Sequence, residues 1–284
     1  MQQEKKHIAI VCNPKAGNGK ALQVADKIVK SLKEKGVAYS IFTASWPQVW
    51  NDITQVWIAG GDGTLNYFIN QNPDIKLPLS IFAGGTGNDF QELLYGAIRV
   101  EDQVEIILHN RIQLVDAGIC NEKLFLNGVG IGFDGAIVKD LVSQKKSNGK
   151  SAYLVFILKN IFVYKEKNCS ILFDEHTIKQ ECFMINIANG KAYGGGFKVA
   201  PKASITDGLL DLNVVGEIAA YKRLYYIPII EKGKHLELSF IQYHQTSKVQ
   251  IKSSFLLPAH MDGEFLTADN FIIECLPKRF SFLW

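Results

Sequence analysis

Hydrophobic positions follow two periods along this chain, and the switch between them divides it. Ile8 to Cys12 is an unbroken apolar run ending at Asn13-Pro14, as a strand buried on both faces does. A glycine-containing loop, Lys15 to Gly19, leads into Ala21, Leu22, Ala25, Ile28, Val29 and Leu32. These recur at the i, i+3, i+4 spacing of one helix face, and Gly36 stops the helix. Tyr39 to Thr43 and Gln55 to Ala59 read as a second and a third strand, the third followed directly by Gly60-Gly61-Asp62-Gly63-Thr64. Leu79 to Ala83 reads as a fourth, followed at once by Gly84-Gly85-Thr86-Gly87-Asn88-Asp89-Phe90. Three strand–glycine loop–helix units in succession predict a parallel α/β sheet.

The period changes near Arg111. Beyond it, strands are predicted over Ile112 to Ile119, Leu124 to Gly132, Ser170 to Asp174, Thr177 to Ala188, Leu209 to Val215, Glu237 to Tyr243 and Lys248 to Ser253. Polar turns such as Asn121-Glu122-Lys123 and Asp174-Glu175-His176 predict hairpins, hence an antiparallel half. Helical patterns interrupt it around Gly135 to Val142 and Ser151 to Tyr164. The expected division is an α/β domain over 1–112, to which 277–284 can return, and a β domain over 113–276.

Composition narrows the function classes. With 284 residues, 47% hydrophobic and 21% charged, the chain can bury a core without disulfides or a structural metal, and it is not intrinsically disordered. A net charge of +3 is too small to argue for nucleic acid. The five cysteines include no C-x-x-C pair and the histidines are scattered, so neither a disulfide framework nor a zinc site is expected, and a reducing cytoplasm is. The first apolar run, Ile8 to Cys12, is too short for a signal-peptide core. The stretch Tyr153 to Tyr164, broken by Lys159-Asn160, is too short to span a bilayer.

The glycine loops carry the candidate chemistry. Backbone N–H groups reach phosphate oxygens where side chains are missing, and a following helix N-terminus adds a favourable dipole. Three such loops at the ends of consecutive strands occupy the edge where an open α/β sheet binds ligands. Neither a P-loop nor a G-x-G-x-x-G dinucleotide fingerprint is present. Asp62, a carboxylate among glycines, suits either a magnesium ion or a catalytic hydrogen-bond network. Asp262-Gly263-Glu264 reads, on its own, as an acidic hairpin turn.

Gly60-Gly61-Asp62-Gly63-Thr64 resembles the signature of the diacylglycerol kinase catalytic domain, shared by bacterial lipid kinases. Four further segments match the lipid kinase branch in order: Asn13-Pro14-x-x-Gly17; Gly85-Thr86-Gly87-Asn88-Asp89-Phe90; Gly194-Gly195-Gly196-Phe197 through Ala200-Pro201, Ala203 and Asp207-Gly208; and Asp262-Gly263-Glu264. The resemblance covers nearly the whole chain. It implies an α/β nucleotide-binding domain followed by a mainly antiparallel β-sandwich. The segment between Thr43 and Gln55 is short for the family, so a helix there is expected to be reduced or lost.

The resemblance also implies roles. ATP would lie against Asn13, Pro14, Lys15, Ala16, Gly17, Thr43, Gly60, Gly61, Asp62, Gly63, Thr64, Leu65, Asn66 and Thr86. Thr43 has the alternative of a strand hydroxyl satisfied locally. Glu264, with Asp262 beside it, becomes the candidate general base; a carboxylate can take the proton late, as the hydroxyl acidifies in a loose transition state. Asp134 matches an aspartate near the lipid hydroxyl, its alternative being the N-cap of the helix that follows. A structural Mg²⁺ would be held by the Asp207 side chain with carbonyl oxygens of Ser204 and Leu209, the alternative being an ion-free Thr-Asp-Gly turn. The expected activity is ATP- and Mg²⁺-dependent phosphorylation of a lipid hydroxyl, such as that of diacylglycerol. The expected setting is cytoplasmic and peripheral at the inner membrane face, with a homodimer allowed. A kinase of a soluble acceptor, akin to NAD kinase, and a non-catalytic nucleotide-binding regulator are the alternatives.

Overall fold

A computed structural model describes residues 6–43, 45–109, 111–143 and 150–284. The chain forms two compact units, Met1–Val115 with Lys278–Trp284, and Asp116–Pro277.

In the first unit the elements follow in order β1 (His7–Cys12), α1 (Lys20–Glu34), β2 (Ala38–Phe42), β3 (Gln55–Gly60), α2 (Asp62–Gln71), β4 (Leu79–Ala83), α3 (Asp89–Tyr95) and α4 (Val100–His109). The strands lie side by side as β4-β3-β1-β2, all parallel, and Phe282 from the chain's end adds a parallel pairing at Leu79. Ile8 and Ile10 of β1, Ala21, Ile28 and Leu32 of α1, and Val104 and Ile107 of α4 form one fully buried cluster. Most of the helix face read from the sequence meets the strand it follows, but Leu22 is exposed and Val24 takes its place in the core. Register sets the geometry of the ligand edge. Val11 pairs with Phe42, Cys12 with Ala59 and Gly60 with Ala83, so the three glycine loops and Thr43 leave the sheet at one end.

The described residues between β2 and β3 contain no helix, in line with the shortened segment. Two tryptophans occupy the connection instead. Trp46 and Trp50 set their rings 5.8 and 5.7 Å from that of Phe68 on α2, and the Trp50 indole donates to Asn72 Oδ1 at 3.2 Å. Tilted aromatic contacts of this kind add about 0.5–1.5 kcal/mol each beyond area burial.

The second unit contains the rest of β5 (Ile112–Cys120), β6 (Lys123–Phe125), β7 (Gly128–Gly132), α5 (Phe133–Ser143), α6 (Lys150–Asn160), β8 (Lys167–Phe173), β9 (His176–Cys182), β10 (Met184–Ala188), β11 (Leu210–Val215), α7 (Ala220–Glu231), β12 (Ile241–Thr246), β13 (Lys248–Met261) and most of β14 (Glu264–Leu283). The pairings of β6 to β13, with the β13–β14 hairpin, are antiparallel. Between Lys252 and Leu257 the register of β13 shifts. Before the shift β13 pairs with β8, and after it with β7, so one strand serves both layers of the sandwich. Ile171, Ile187, Leu212, Val249, Ala259 and Phe271 fill the space enclosed.

Several elements differ from the sequence expectation. The strand expected over Leu124 to Gly132 is two pieces, because Leu126 and Asn127 leave the ladder to bond Asp262. Phe183 similarly separates β9 from β10. Residues 237–240 are turn rather than strand. The strand expected to end at Ser253 runs on to Met261, since Pro258 lies just past the register shift, where a proline is tolerated. Neither α7 nor β14 was legible. Helix α7 carries Pro228 and shows apolar residues on both faces, which erases the periodic contrast.

The described cysteines are core fillers. Burial pushes the Cys12 thiol up to about 11 and those of Cys120 and Cys275 up to about 12, so thiolate chemistry is not available there near neutrality.

His235 gives the fold a pH dependence. It is buried, with Nε2 3.1 Å from the Val199 carbonyl oxygen, and burial holds its pKa below the ordinary 6.5. The unfolded chain therefore takes up this proton first as pH falls, and stability is lost below about pH 6.5. Thermal melts of the wild type should fall from about pH 7 to about pH 5, and His235→Gln should reduce that slope. An unaltered slope in the variant would remove His235 as a source.

Candidate active site

Loop-to-loop contacts in the first unit are made by the residues the motif contains. Asp62 is the first residue of α2. Its N–H donates to the Gly87 carbonyl at 3.1 Å, its Oδ2 accepts from Asp89 N at 2.9 Å and its Oδ1 from Phe90 N at 2.9 Å. The carboxylate thus caps α3 from a different loop, supplying acceptors that the first amides of a helix lack. Asp62 is thereby part of a hydrogen-bond network within the protein. Gly61 and Gly85 lie back to back. A Cβ on Gly61 would stand 2.4 Å from Gly87 O and 2.8 Å from Gly85 Cα. Its side-chain direction is filled by protein. Asn88 completes the third loop, accepting from Gly85 N at 2.9 Å and donating to Gly85 O at 3.0 Å.

The first loop joins the second through Asn13. Its Oδ1 accepts from Lys15 N at 3.1 Å, its carbonyl from Ala16 N at 3.0 Å, and its Nδ2 donates to Thr64 Oγ1 at 3.4 Å. Leu65 N is bonded to Gly61 O within α2, so the Gly63 and Thr64 amides belong to the first turn, where a helix offers donors and a positive dipole end to an anion. Pro14, Lys15, Gly63 and Thr86 are exposed on this edge, and Ala16, Gly17 and Thr43 are half-buried. The Leu65 side chain is in the core. The Asn66 carbonyl and Oδ1 both lie against Asn70 Nδ2, one turn along α2.

In the second unit, Asp262 and Gly263 are the central residues of the β13–β14 turn, with φ of 47° and 85°, the positive pair of a tight two-residue hairpin. The acidic-turn reading of this triplet is what the backbone adopts. Asp262 is nevertheless buried. Oδ2 accepts from Leu126 N at 2.8 Å, and Oδ1 from Asn127 N and Gly128 N at 2.9 Å each. Glu264, the first residue of β14, is exposed. The two carboxylates therefore differ: one is fixed by three amides, the other faces solvent.

Asp134 sits inside the first turn of α5, so it is not that helix's N-cap. It is buried, and its Oδ2 lies 3.1 Å from Nε2 of buried His260. A Cβ on Gly130 would stand 2.5 Å from that nitrogen and 2.6 Å from that oxygen, so glycine at 130 makes room for the pair. The other ring nitrogen, Nδ1, accepts from Gly263 N at 3.4 Å. His260 thereby connects Asp134 to the turn that carries Glu264. The glycines Gly194 to Gly196, all at positive φ, close a tight loop between Tyr193 and Phe197. Tyr193 donates to Asn186 Oδ1 at 2.7 Å and sets its ring edge-on to His260.

The sequence reading missed His260, Asn189 and Asp116. Asn189 is fully buried and donates through Nδ2 to the carbonyls of Asp116 and Leu126, while its N–H donates to Asn127 O. Asp116 Oδ2 in turn accepts from Gly208 N at 2.7 Å. One chain of bonds thus runs from Asp262 to the loop of Ser204, Asp207 and Leu209. The available signal was spacing: His260 is two residues before Asp262, and Asn189-Gly190 closes a strand.

In that loop Asp207 Oδ1 accepts from Leu209 N at 3.0 Å, and the Ser204 and Thr206 hydroxyls are 3.3 Å apart. Among the described residues no three His, Cys, Asp or Glu side chains cluster as metal ligands, so an ion here needs main-chain oxygens. The donor chemistry fits Mg²⁺: Asp207 and the nearby Asp116 and Asp211 offer oxygen only. Burial, and then the Asp207 charge, raise the Asp211 carboxyl above the usual range.

Comparison with known proteins agrees in extent with this anatomy. Residues 7–120 match the diacylglycerol kinase catalytic domain, and residues 127–284 match the YegS C-terminal NAD kinase beta sandwich-like domain. A protein of Shewanella frigidimarina named "Probable lipid kinase YegS-like" is 27% identical, covering 98% of this chain and 93% of its own. A Mycobacterium tuberculosis protein named "Diacylglycerol kinase" is 24% identical over 97% of this chain and 94% of its own. A crystal structure of a diacylglycerol kinase from Bacillus anthracis superposes with a TM-score of 0.75 at 23% identity, covering 100% of this chain and 98% of that one, a likeness of fold.

The unequal anchoring of the two carboxylates is directly measurable. Asp262→Asn should cost ~3 kcal/mol of stability, because an amide NH₂ would face backbone donors. Glu264→Gln should leave the melting temperature unchanged. Equal melting of the two variants in a thermal unfolding assay would contradict the assignment.

Proposed function

The chain belongs to the family of the YegS C-terminal NAD kinase beta sandwich-like domain, and is a phosphotransferase with an alcohol group as acceptor; on that premise we propose that it is a lipid kinase transferring the γ-phosphate of ATP to a hydroxyl of a lipid such as diacylglycerol. The observation that carries this reading is the contrast between buried, amide-bonded Asp262 and exposed Glu264 on one tight turn, tied through His260 to Asp134. A base must be reachable by its substrate, and the groups that aim it must not move.

In this reading the nucleotide phosphates bind at the first turn of α2, against Gly60 to Asn66, with Asn13 to Gly17, Thr43 and Thr86 around them. Asp62 acts by holding the second and third loops together. Asp134 orients the acceptor hydroxyl, and Glu264 accepts its proton as the alcohol oxygen bonds the γ-phosphorus and the bond to the β-phosphate oxygen breaks. Asp262 and His260 are positioning residues. A magnesium ion held by Asp207 and the carbonyls of Ser204 and Leu209 would neutralise local carboxylate charge and brace the loop. Most of the rate enhancement expected of such a site is positioning and charge stabilisation, with the base contributing ~10²–10⁴-fold.

Glu264→Gln should therefore lower the single-turnover rate on diacylglycerol by ~10²–10⁴-fold with ATP affinity unchanged. A normal chemical rate with only a raised Michaelis constant for lipid would move Glu264 to substrate binding. For the metal, chelation should lower the melting temperature of the wild type but not of Asp207→Ala. Equal responses in the two proteins would refute the Asp207 site.

A further inference from the structure

The connection between β2 and β3 runs beside α2, and its two tryptophans occupy different parts of that helix. The chain leaves β2 at Thr43, on the ligand edge set by the strand register. Trp46 then meets the middle of α2, its ring 5.5 Å from that of Tyr67 and 5.8 Å from that of Phe68. Trp50 meets the far end, where its indole donates to Asn72 Oδ1 and its ring packs edge-on against Phe42. The order along the connection thus follows the order along α2, away from the first turn that can accept an anion. Three residues of chain reach at most about 11 Å, so Trp46 stands within that distance of Thr43.

Trp46 is only half-buried. Its two ring partners are inclined to it by 67° and 52°, so neither lies flat on the indole. Part of its surface is therefore open to another planar ring. Tyr67 is 57% exposed and stands four residues after exposed Gly63 on the same face of α2, about 6 Å further along the axis. The aromatic corner of Trp46 and Tyr67 thus sits one helical turn from the amides of Gly63 and Thr64. Trp57 of β3 shows the contrasting, purely structural arrangement. It is fully buried, and its indole N–H donates to Gln55 Oε1 at 3.0 Å.

We propose that Trp46 is the platform on which the base of ATP stacks, with Tyr67 as the positioning residue that fixes the indole. This deepens the lipid kinase reading and rests on its assignment of the nucleotide phosphates to the first turn of α2. A base tethered through ribose to phosphates at that turn needs a planar apolar surface beside it, and Trp46 supplies one. Where the connection holds no helix, a ring with two rotatable bonds covers this side of the site at low cost in side-chain entropy. Stacking of a base on an aromatic face is worth about 5- to 150-fold in affinity. A bicyclic purine overlaps more of the indole than a pyrimidine does, so the platform favours ATP over CTP. A tryptophan that only filled space against α2 would instead support every ligand of the loops equally, whatever base it carried.

Calorimetry with two probes tests this without turnover: ADP, which carries the base, and pyrophosphate, which carries the phosphates alone. The wild type should bind ADP more tightly than pyrophosphate. Trp46→Ala should weaken ADP about tenfold or more and leave pyrophosphate unaltered. Trp46→Phe and Tyr67→Phe keep a ring and should retain most of the ADP affinity, whereas Tyr67→Ser should lose about threefold or more. The preference for ATP over CTP should narrow in Trp46→Ala. If that variant fails to fold, Tyr67→Ser at its exposed position decides the matter through the same pair of probes. Unaltered ADP affinity in the variants, equal losses for ADP and pyrophosphate, or a wild type that binds ADP no better than pyrophosphate overturns the proposal. Absence of lipid phosphorylation by wild type, with ADP binding that depends on Trp46, would instead refute the kinase reading and leave the platform standing.

Discussion

Each of the two units depends on a carboxylate that accepts backbone amides from a different loop. Asp62 takes those of Asp89 and Phe90, and Asp262 takes those of Leu126, Asn127 and Gly128. An ionised acceptor makes these bonds stronger than neutral ones, and at Asp262 the low exposure removes the competing water. The cost of burying the charge is met only while every amide remains in place. Loops held this way have few alternatives. That is a requirement for phosphoryl transfer, where positioning supplies most of the catalysis.

The glycines follow from the same constraint. Gly61 and Gly85 meet backbone to backbone, and Gly130 leaves the volume that His260 and Asp134 occupy. Motif glycines in this chain therefore serve protein packing as well as any ligand. The shared bond chain from Asp262 through Asn127 and Asn189 to Asp116 and the Asp207 loop gives the second unit one connected polar frame.

Legibility in the sequence tracked locality. The parallel sheet, the helix face of α1 and the glycine loops were readable because each is set by residues adjacent in the chain. The missing helix before Gln55 was readable as a short count of residues, although the tryptophan contacts that replace it were not. What escaped depends on pairing across long separations. His260 needed Asp134, 126 positions away along the numbering, and β14 needed the register shift in β13. Helix α7 escaped because its outer face is apolar as well as its inner one. That Asp62 accepts the α3 amides was not readable either, since those residues lie 27 and 28 positions further along the chain.

The direct test is amide hydrogen exchange on the wild type, Asp62→Asn and Asp262→Asn. Protection at Asp89 and Phe90 should drop in the first variant, and at Leu126 to Gly128 in the second, with the core of β1 and β3 unchanged in both. Protection at those amides equal to the wild type would mean that the carboxylates do not hold the loops, and would contradict the account.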